Sequence, residues 1–305
     1  DAQESRGLGD VYKRQTYKNG YLVGVDKFVD FAKEDMLKIL FEKETNKEFL
    51  TDNQKEILYH KTQADEKSVI SNARKSIEDK LVKEIKNNNI ITVKGKSGSG
   101  KSTLMSTLSN RIVKESYSII LFSSLTPRTT SALSMMRIIT EYISEILKYE
   151  NKSIDFDEVL DDHKEEISKS GSKGELSAEE ILYETTLREY LRKGKREIVI
   201  LIDAIDQLDN ARAIADLIKP INFNEDSKVK FIISYLDEDE KLDDDYIFLN
   251  DYLNFKLKEL EDSDKLEVIN ASLANNNKEL PLEVKKEIVK KEGSSSPLYL
   301  SLIHI

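Results

Sequence analysis

The chain has 305 residues, with 47 Lys and Arg against 57 Asp and Glu, a net charge of −10 and no Cys or Trp. A domain takes about 100–200 residues, so this length points to roughly two domains with enough chain to bury a core unaided. The lack of Cys excludes disulfide frameworks, thiol nucleophiles and thiolate metal sites, and three His far apart in sequence (His60, His163, His304) argue against a His-based metal centre.

Residues 1–15 (DAQESRGLGDVYKRQ) show neither a helical nor a strand period and are expected to be a non-native or disordered tail. The run GLGDVYKRQ resembles a translated sequencing-adapter fragment, and SLIHI at Ser301–Ile305 resembles the same at the other end. Residues 16–64 are expected to be a helical upstream segment. Val25, Phe28, Val29, Ala32, Met36, Leu37 and Leu40 recur at helical spacing over 22–45, and a second helix is expected over 51–64 with Thr51 as N-cap. A third helix runs through Ile70, Ile77, Leu81 and Ile85 and ends at Asn87–Asn89.

The pattern then changes. Ile90–Val93 is a short apolar, β-branched run, the mark of a strand buried on both faces, and a Gly/Ser loop and a helix over 101–114 follow it. Further strands are expected at 118–122, 197–202 and 229–234. Helices are expected at 130–149, 177–193 and 210–218. The segment 150–176 is polar and reads as loop, and from about 256 onward the sequence reads as helices at 261–275, 281–291 and from 295. Strands alternating with helices predict an α/β fold with a parallel sheet covered on both faces.

Gly95-Lys96-Ser97-Gly98-Ser99-Gly100-Lys101-Ser102 fits the phosphate-binding pattern G-x-x-x-x-G-K-[ST] and lies between a strand and a helix, as that loop requires. Glycines let the backbone curl so that successive N–H groups, with those of Ser102 and Thr103 behind them, point at phosphate oxygens. Lys101 is then placed for the terminal phosphates and the Ser102 hydroxyl for Mg²⁺, while the helix dipole favours the anion. A second acidic motif closes the strand 198–202: Asp203 is the candidate to hold Mg²⁺. Three residues on, Asp206 is the first candidate to orient an attacking water, with Gln207 and Asp209 as alternatives.

The string Ile202-Asp203-Ala204-Ile205-Asp206-Gln207-Leu208 resembles the second acidic motif of NACHT-type nucleotide triphosphatases, the signal-transduction ATPases with numerous domains, in their nephrocystin-3-like and telomerase-associated-protein-like branch. Lys94–Met105, Phe122–Thr130 and Ser294–Leu300 resemble three further stretches of that branch. The resemblance implies a nucleotide-binding core over 65–255 and a helical lid over 256–305 that breaks off as a winged helix begins. It implies ATP or ADP with Mg²⁺ as cofactors, Ser234 as a polar sensor, and Pro297 lying against the nucleotide. It also implies a cytoplasmic signalling or defence switch that self-associates, with effector and repeat domains beyond this stretch. Three departures stand out: Tyr235 and Leu236 occupy the place of the usual arginine after Ser234, no Gly-Arg motif is recognisable around Val69–Arg74, and Ser296 or Ser295 replaces the usual residue ahead of Pro297.

Two other classes compete with the switch. One is an origin-recognition-like ATPase acting on DNA, against which the net negative charge weighs. The other is a scaffold that binds nucleotide without hydrolysing it. No apolar run approaches the ~20 residues that a membrane span needs, so no membrane partner is expected. Asp161, Asp162, Glu165, Glu166 and the acidic run after strand four read as solvated faces, as does the basic stripe Lys285, Lys286, Lys290 and Lys291.

Overall fold

The structure, a computed structural model, describes residues 16–18, 21–23, 50–68, 74–150, 152, 154–162, 177–209, 211–218, 227–237, 244–275, 278–291 and 293–301. The chain divides into two units, Asp1–Thr51 and Asp52–Ile305. In the first, Thr16–Lys18 (β1) and Tyr21–Val23 (β2) pair antiparallel, with Thr16 opposite Val23. The helix expected over 22–45 therefore does not begin at 22, and its remainder lies outside the described residues. So do the tail 1–15 and residues 302–305.

The second unit opens with two helices, Asp52–Ser68 (α1) and Lys75–Glu84 (α2). Then Ile90–Gly95 (β3) leads through the Gly/Ser loop into Lys101–Ile112 (α3), and Tyr117–Phe122 (β4) follows. Ala132–Tyr149 (α4), Phe156–Asp162 (α5) and Ala178–Lys193 (α6) precede Ile198–Asp203 (β5). Ala211–Ile218 (α7), Val229–Leu236 (β6) and Leu253–Lys256 (β7) complete the α/β part. Asp262–Asn275 (α8), Leu282–Val289 (α9) and Pro297–Ser301 (α10) end it.

Five strands form one parallel sheet in the order β4-β5-β6-β3-β7. The expected α/β fold is therefore present, with one strand more than the sequence suggests. β7 reads Leu-Asn-Phe-Lys, is partly exposed along its length and sits at the edge, so it lacks the continuous apolar run that marks the inner strands. The short helix α5 is likewise absent from the sequence reading of 150–176.

Every residue of β5 is buried, because successive side chains point to opposite faces and both faces are covered. Val199 and Leu201 join Ile91, Val93, Ile120 and Ile232 in a cluster with Ala64 of α1, Leu81 of α2 and Leu104, Met105 and Leu108 of α3. Ile119, Leu121, Ile200 and Ile202 are buried on the alternate side. Helix starts follow local chemistry. Ser177 accepts from Glu180 N (3.2 Å) while its own N–H donates to Glu180 Oε2 (2.6 Å), a reciprocal capping box that opens α6 where the sequence places it. The C-terminal helices hold a small core of their own: Leu260, Val268, Ile269, Leu273, Val289 and Leu300. Among the described residues no helix is long and apolar enough to cross a membrane.

Candidate functional site

The loop after β3 is shaped by two glycines in the left-handed region, Gly98 (φ 73°) and Gly100 (φ 90°), where an L side chain would be strained. Gly95 needs its missing side chain for another reason. A Cβ there would stand 2.7 Å from Ser99 Oγ and 3.1 Å from Leu257 Cβ. Gly100 is the N-cap of α3, with Lys101, Ser102 and Thr103 as the first helical turn, so the helix presents its free N–H groups at the loop. The Lys101 ammonium donates to the carbonyls of Gly95 (2.7 Å) and Lys96 (3.1 Å), which draws the loop around it. Burial pushes the Lys101 pKa down, and the opposing charges of Asp203, Asp206 and Asp237 act against that shift.

Asp203 is buried at the C-terminal end of β5. β6 lies between β5 and β3, which places Ser234 between the acid and the loop. The Ser234 hydroxyl donates to Asp203 Oδ1 and accepts from Ala204 N (2.9 Å), so one fully buried side chain fixes both the carboxylate and the turn behind it. That turn is strained. Ala204 (φ 59°) is left-handed without being glycine, and so is Ser124 (φ 57°) at the end of the neighbouring β4. Ser123 N donates to Asp203 O (3.0 Å), and Ser124 Oγ donates to Gln207 O (3.2 Å), lacing the two corners together. Asp206 lies in the following single-turn helix, where its Oδ1 accepts from Leu236 N (2.9 Å) at the end of β6. Gln207 is exposed.

The segment before α10 reaches the same loop from outside. Ser296 Oγ donates to Gly98 O (3.1 Å), and the Pro297 ring lies 3.2 Å from where a Gly100 Cβ would be. Leu260 N donates to Ser295 O (3.4 Å), so this segment is tied back to the chain that leaves β7.

Most residues singled out from sequence thus meet at one edge of the sheet: the loop 95–103, Asp203, Asp206, Ser234 and Pro297. Gln207 turns its backbone, not an engaged side chain, toward the neighbouring corner. Sequence reasoning missed Arg74, whose guanidinium donates to Ser99 O (3.2 Å) and Lys258 O (2.6 Å). It also read Ser296 only as a departure ahead of Pro297. The available signal for Arg74 was its place just before a helix leading into the loop strand. Nothing in spacing shows which carbonyls such a side chain reaches.

A five-stranded parallel sheet in this order, with a glycine loop between a central strand and a helix, and an acid ending a strand two places away, is the P-loop ATPase fold. The model of the nephrocystin 3 N-terminal family matches residues 73–234, more than half of the chain, and the chain belongs to this family. No curated protein matches the chain. Among solved structures, a Walker-type ATPase of Pyrococcus abyssi is 13% identical, with 75% of this chain and 65% of that chain covered and a TM-score of 0.45. Domain III of the Thermotoga maritima replication initiation protein DnaA is 15% identical, with 74% and 79% covered and a TM-score of 0.38. AMPPCP-bound DnaA from Aquifex aeolicus is 14% identical, with 73% and 57% covered and a TM-score of 0.41. The chain thus spans just under two thirds of the first of these.

Proposed function

We propose that the chain is an ATP-binding molecular switch of the NACHT type, slowly hydrolysing, whose nucleotide state sets its conformation and self-association in cytoplasmic signalling or defence. The observation that carries this reading is the seat of Ser296 and Pro297 on Gly98 and Gly100. A segment resting on the phosphate loop makes different contacts when that loop is differently filled, which is what a two-state element needs.

In this reading the loop amides of 95–103 and Lys101 hold the phosphates. Ser102 and Asp203 hold Mg²⁺, which supplies charge neutralisation on the phosphate oxygens. The donor set fits: a helical-turn hydroxyl beside the loop, and a buried carboxylate whose Oδ1 is occupied by Ser234, leaving Oδ2 for the cation or its water. Among the described residues no cluster of three or more His, Cys, Asp or Glu could hold a metal by itself, so the remaining ligands come from phosphate and water. Asp206 orients the attacking water, with Gln207 the alternative. The bond from Leu236 N keeps its carboxylate at the β6 end.

The test is equilibrium binding of ATP, ADP and GTP to the whole chain and to Lys101→Ala, with amide hydrogen exchange followed over 256–301. Loss of a charge-assisted phosphate contact predicts about ten- to hundred-fold weaker ATP binding in the variant. Exchange at 293–297 is expected to differ between the ATP and ADP states. Equal ATP affinity in Lys101→Ala overturns the phosphate-loop assignment, and exchange that ignores the nucleotide overturns the switch.

A further inference from the structure

Arg74 belongs to neither the loop nor the acidic motif, yet it grips the loop. Its Nη2 donates to Ser99 O (3.2 Å), 25 residues on, and to Lys258 O (2.6 Å), 184 residues on. Among the described residues its buried Nε has no hydrogen-bond partner, so the side chain is held through these two carbonyls. Burial lowers the guanidinium pKa, and Asp264 at the start of α8 acts the other way. Both bonds leave the one nitrogen, whose two N–H directions are fixed by the planar guanidinium, whereas an ammonium on a flexible stem has no such fixed direction.

The consequence for the loop follows from peptide geometry. A trans peptide is planar, and its C=O and N–H point in opposite directions. Holding Ser99 C=O toward Arg74 therefore aims the N–H of Gly100 away from it. Gly100 is the N-cap of α3, so that N–H joins the row of free N–H groups which the helix start presents. Ser296 holds the preceding carbonyl, Gly98 O, in the same manner.

We propose that Arg74 is a positioning residue for phosphate binding: by holding Ser99 C=O it presets the Ser99–Gly100 peptide for an anion and ties that setting to the chain entering the C-terminal helices at Lys258. This rests on the nucleotide-binding reading above and adds to it a residue that never touches the phosphate. A peptide already turned toward the anion saves the reorganisation that binding would otherwise require.

The test is calorimetric titration of ATP, and separately of inorganic pyrophosphate, into the whole chain and its Arg74→Ala, Arg74→Lys and Lys101→Ala variants, with thermal melting in the absence of either probe. Arg74→Ala is expected to weaken both probes about ten-fold, and Arg74→Lys, whose shorter, flexible ammonium does not fix the direction of Ser99 C=O, several-fold with a nearly unchanged melting temperature. Wild-type affinity for pyrophosphate in Arg74→Lys overturns the proposal, as does a loss confined to the melting temperature. If Arg74→Ala does not fold, Arg74→Lys decides alone. A wild-type chain that binds neither probe, or a Lys101→Ala that binds as tightly as wild type, overturns the nucleotide reading instead and is recognisable as such.

Discussion

His60 offers the sharpest stability test in the molecule. It lies in α1 with its ring fully buried, stacked on Phe122 with centroids 5.9 Å apart and planes at 12°. Phe122 ends β4, the edge strand of the sheet, where a backbone N–H has no further strand to donate to. It donates to His60 Nδ1 instead (3.0 Å). Because a backbone N–H can only donate, Nδ1 is the unprotonated nitrogen, and Nε2–H faces Glu56 Oε1 (3.3 Å). His60→Phe keeps the ring and the stack but removes the acceptor. A buried N–H left unsatisfied costs about 1–3 kcal/mol, which for a unit of this size corresponds to a fall in melting temperature of about 2–12 °C.

The pH dependence has a definite sign. Burial, aided by Lys67 and opposed by Glu56, holds the folded His60 pKa below the ordinary 6.5. Between the folded and unfolded values the unfolded chain binds more protons, so this contribution is complete above 6.5 and shrinks as pH falls through 6.5 toward the folded value. Denaturant unfolding of wild type and His60→Phe at pH 8 and again near pH 5.5 checks it. The stability gap should be largest at pH 8 and narrower at the lower pH. A gap that is pH-independent, or a His60→Phe variant as stable as wild type at pH 8, would refute the reasoning.

Two further predictions concern the site. Gly100→Ala places a Cβ 3.2 Å from Pro297 Cγ on a backbone at φ 90°, so it should cost about 1–2 kcal/mol and weaken the seat of Pro297. Denaturation together with amide exchange over 293–297 reads both, and an unaltered exchange pattern contradicts the contact's role. Asp206→Asn retains an oxygen for Leu236 N while removing the charge. Nucleotide affinity should hold while turnover falls on the order of 10²-fold or more. Unchanged turnover in a phosphate-release assay moves the water-orienting role to Gln207.

Sequence carried four of the five strands for a physical reason: a strand covered on both faces must be mainly apolar, and β3, β4, β5 and β6 each hold such a run, as in Ile119–Phe122, Ile198–Ile202 and Phe231–Ile233. The sequence places the helix over 177–193 correctly as well, and the reciprocal bonds of Ser177 and Glu180 at its start are seen only in the structure. β7 escaped because, unlike the other edge strand β4, it is only four residues long and partly exposed, and its register comes from β3, not from its own residues. The loop and Asp203 were legible because anion binding demands fixed residue types at fixed spacing. Arg74, Ser296 and His60 were not, since each acts by reaching a backbone atom distant in sequence, and any backbone carbonyl or N–H would look the same in the one-letter code.

The pairing of β7 with β3 sets where the C-terminal helices can pivot. The ladder runs from Ile91–Leu253 to Lys94–Lys256, and Leu257 N still donates to Lys94 O (2.7 Å). The strand from which those helices hang is thus locked, residue for residue, to the strand from which the phosphate loop hangs. Leu260 already belongs to the helices' own core. A rotation of that layer against the sheet is left with Lys258 and Glu259 as its axle, and Nη2 of Arg74 is fastened to the first of them.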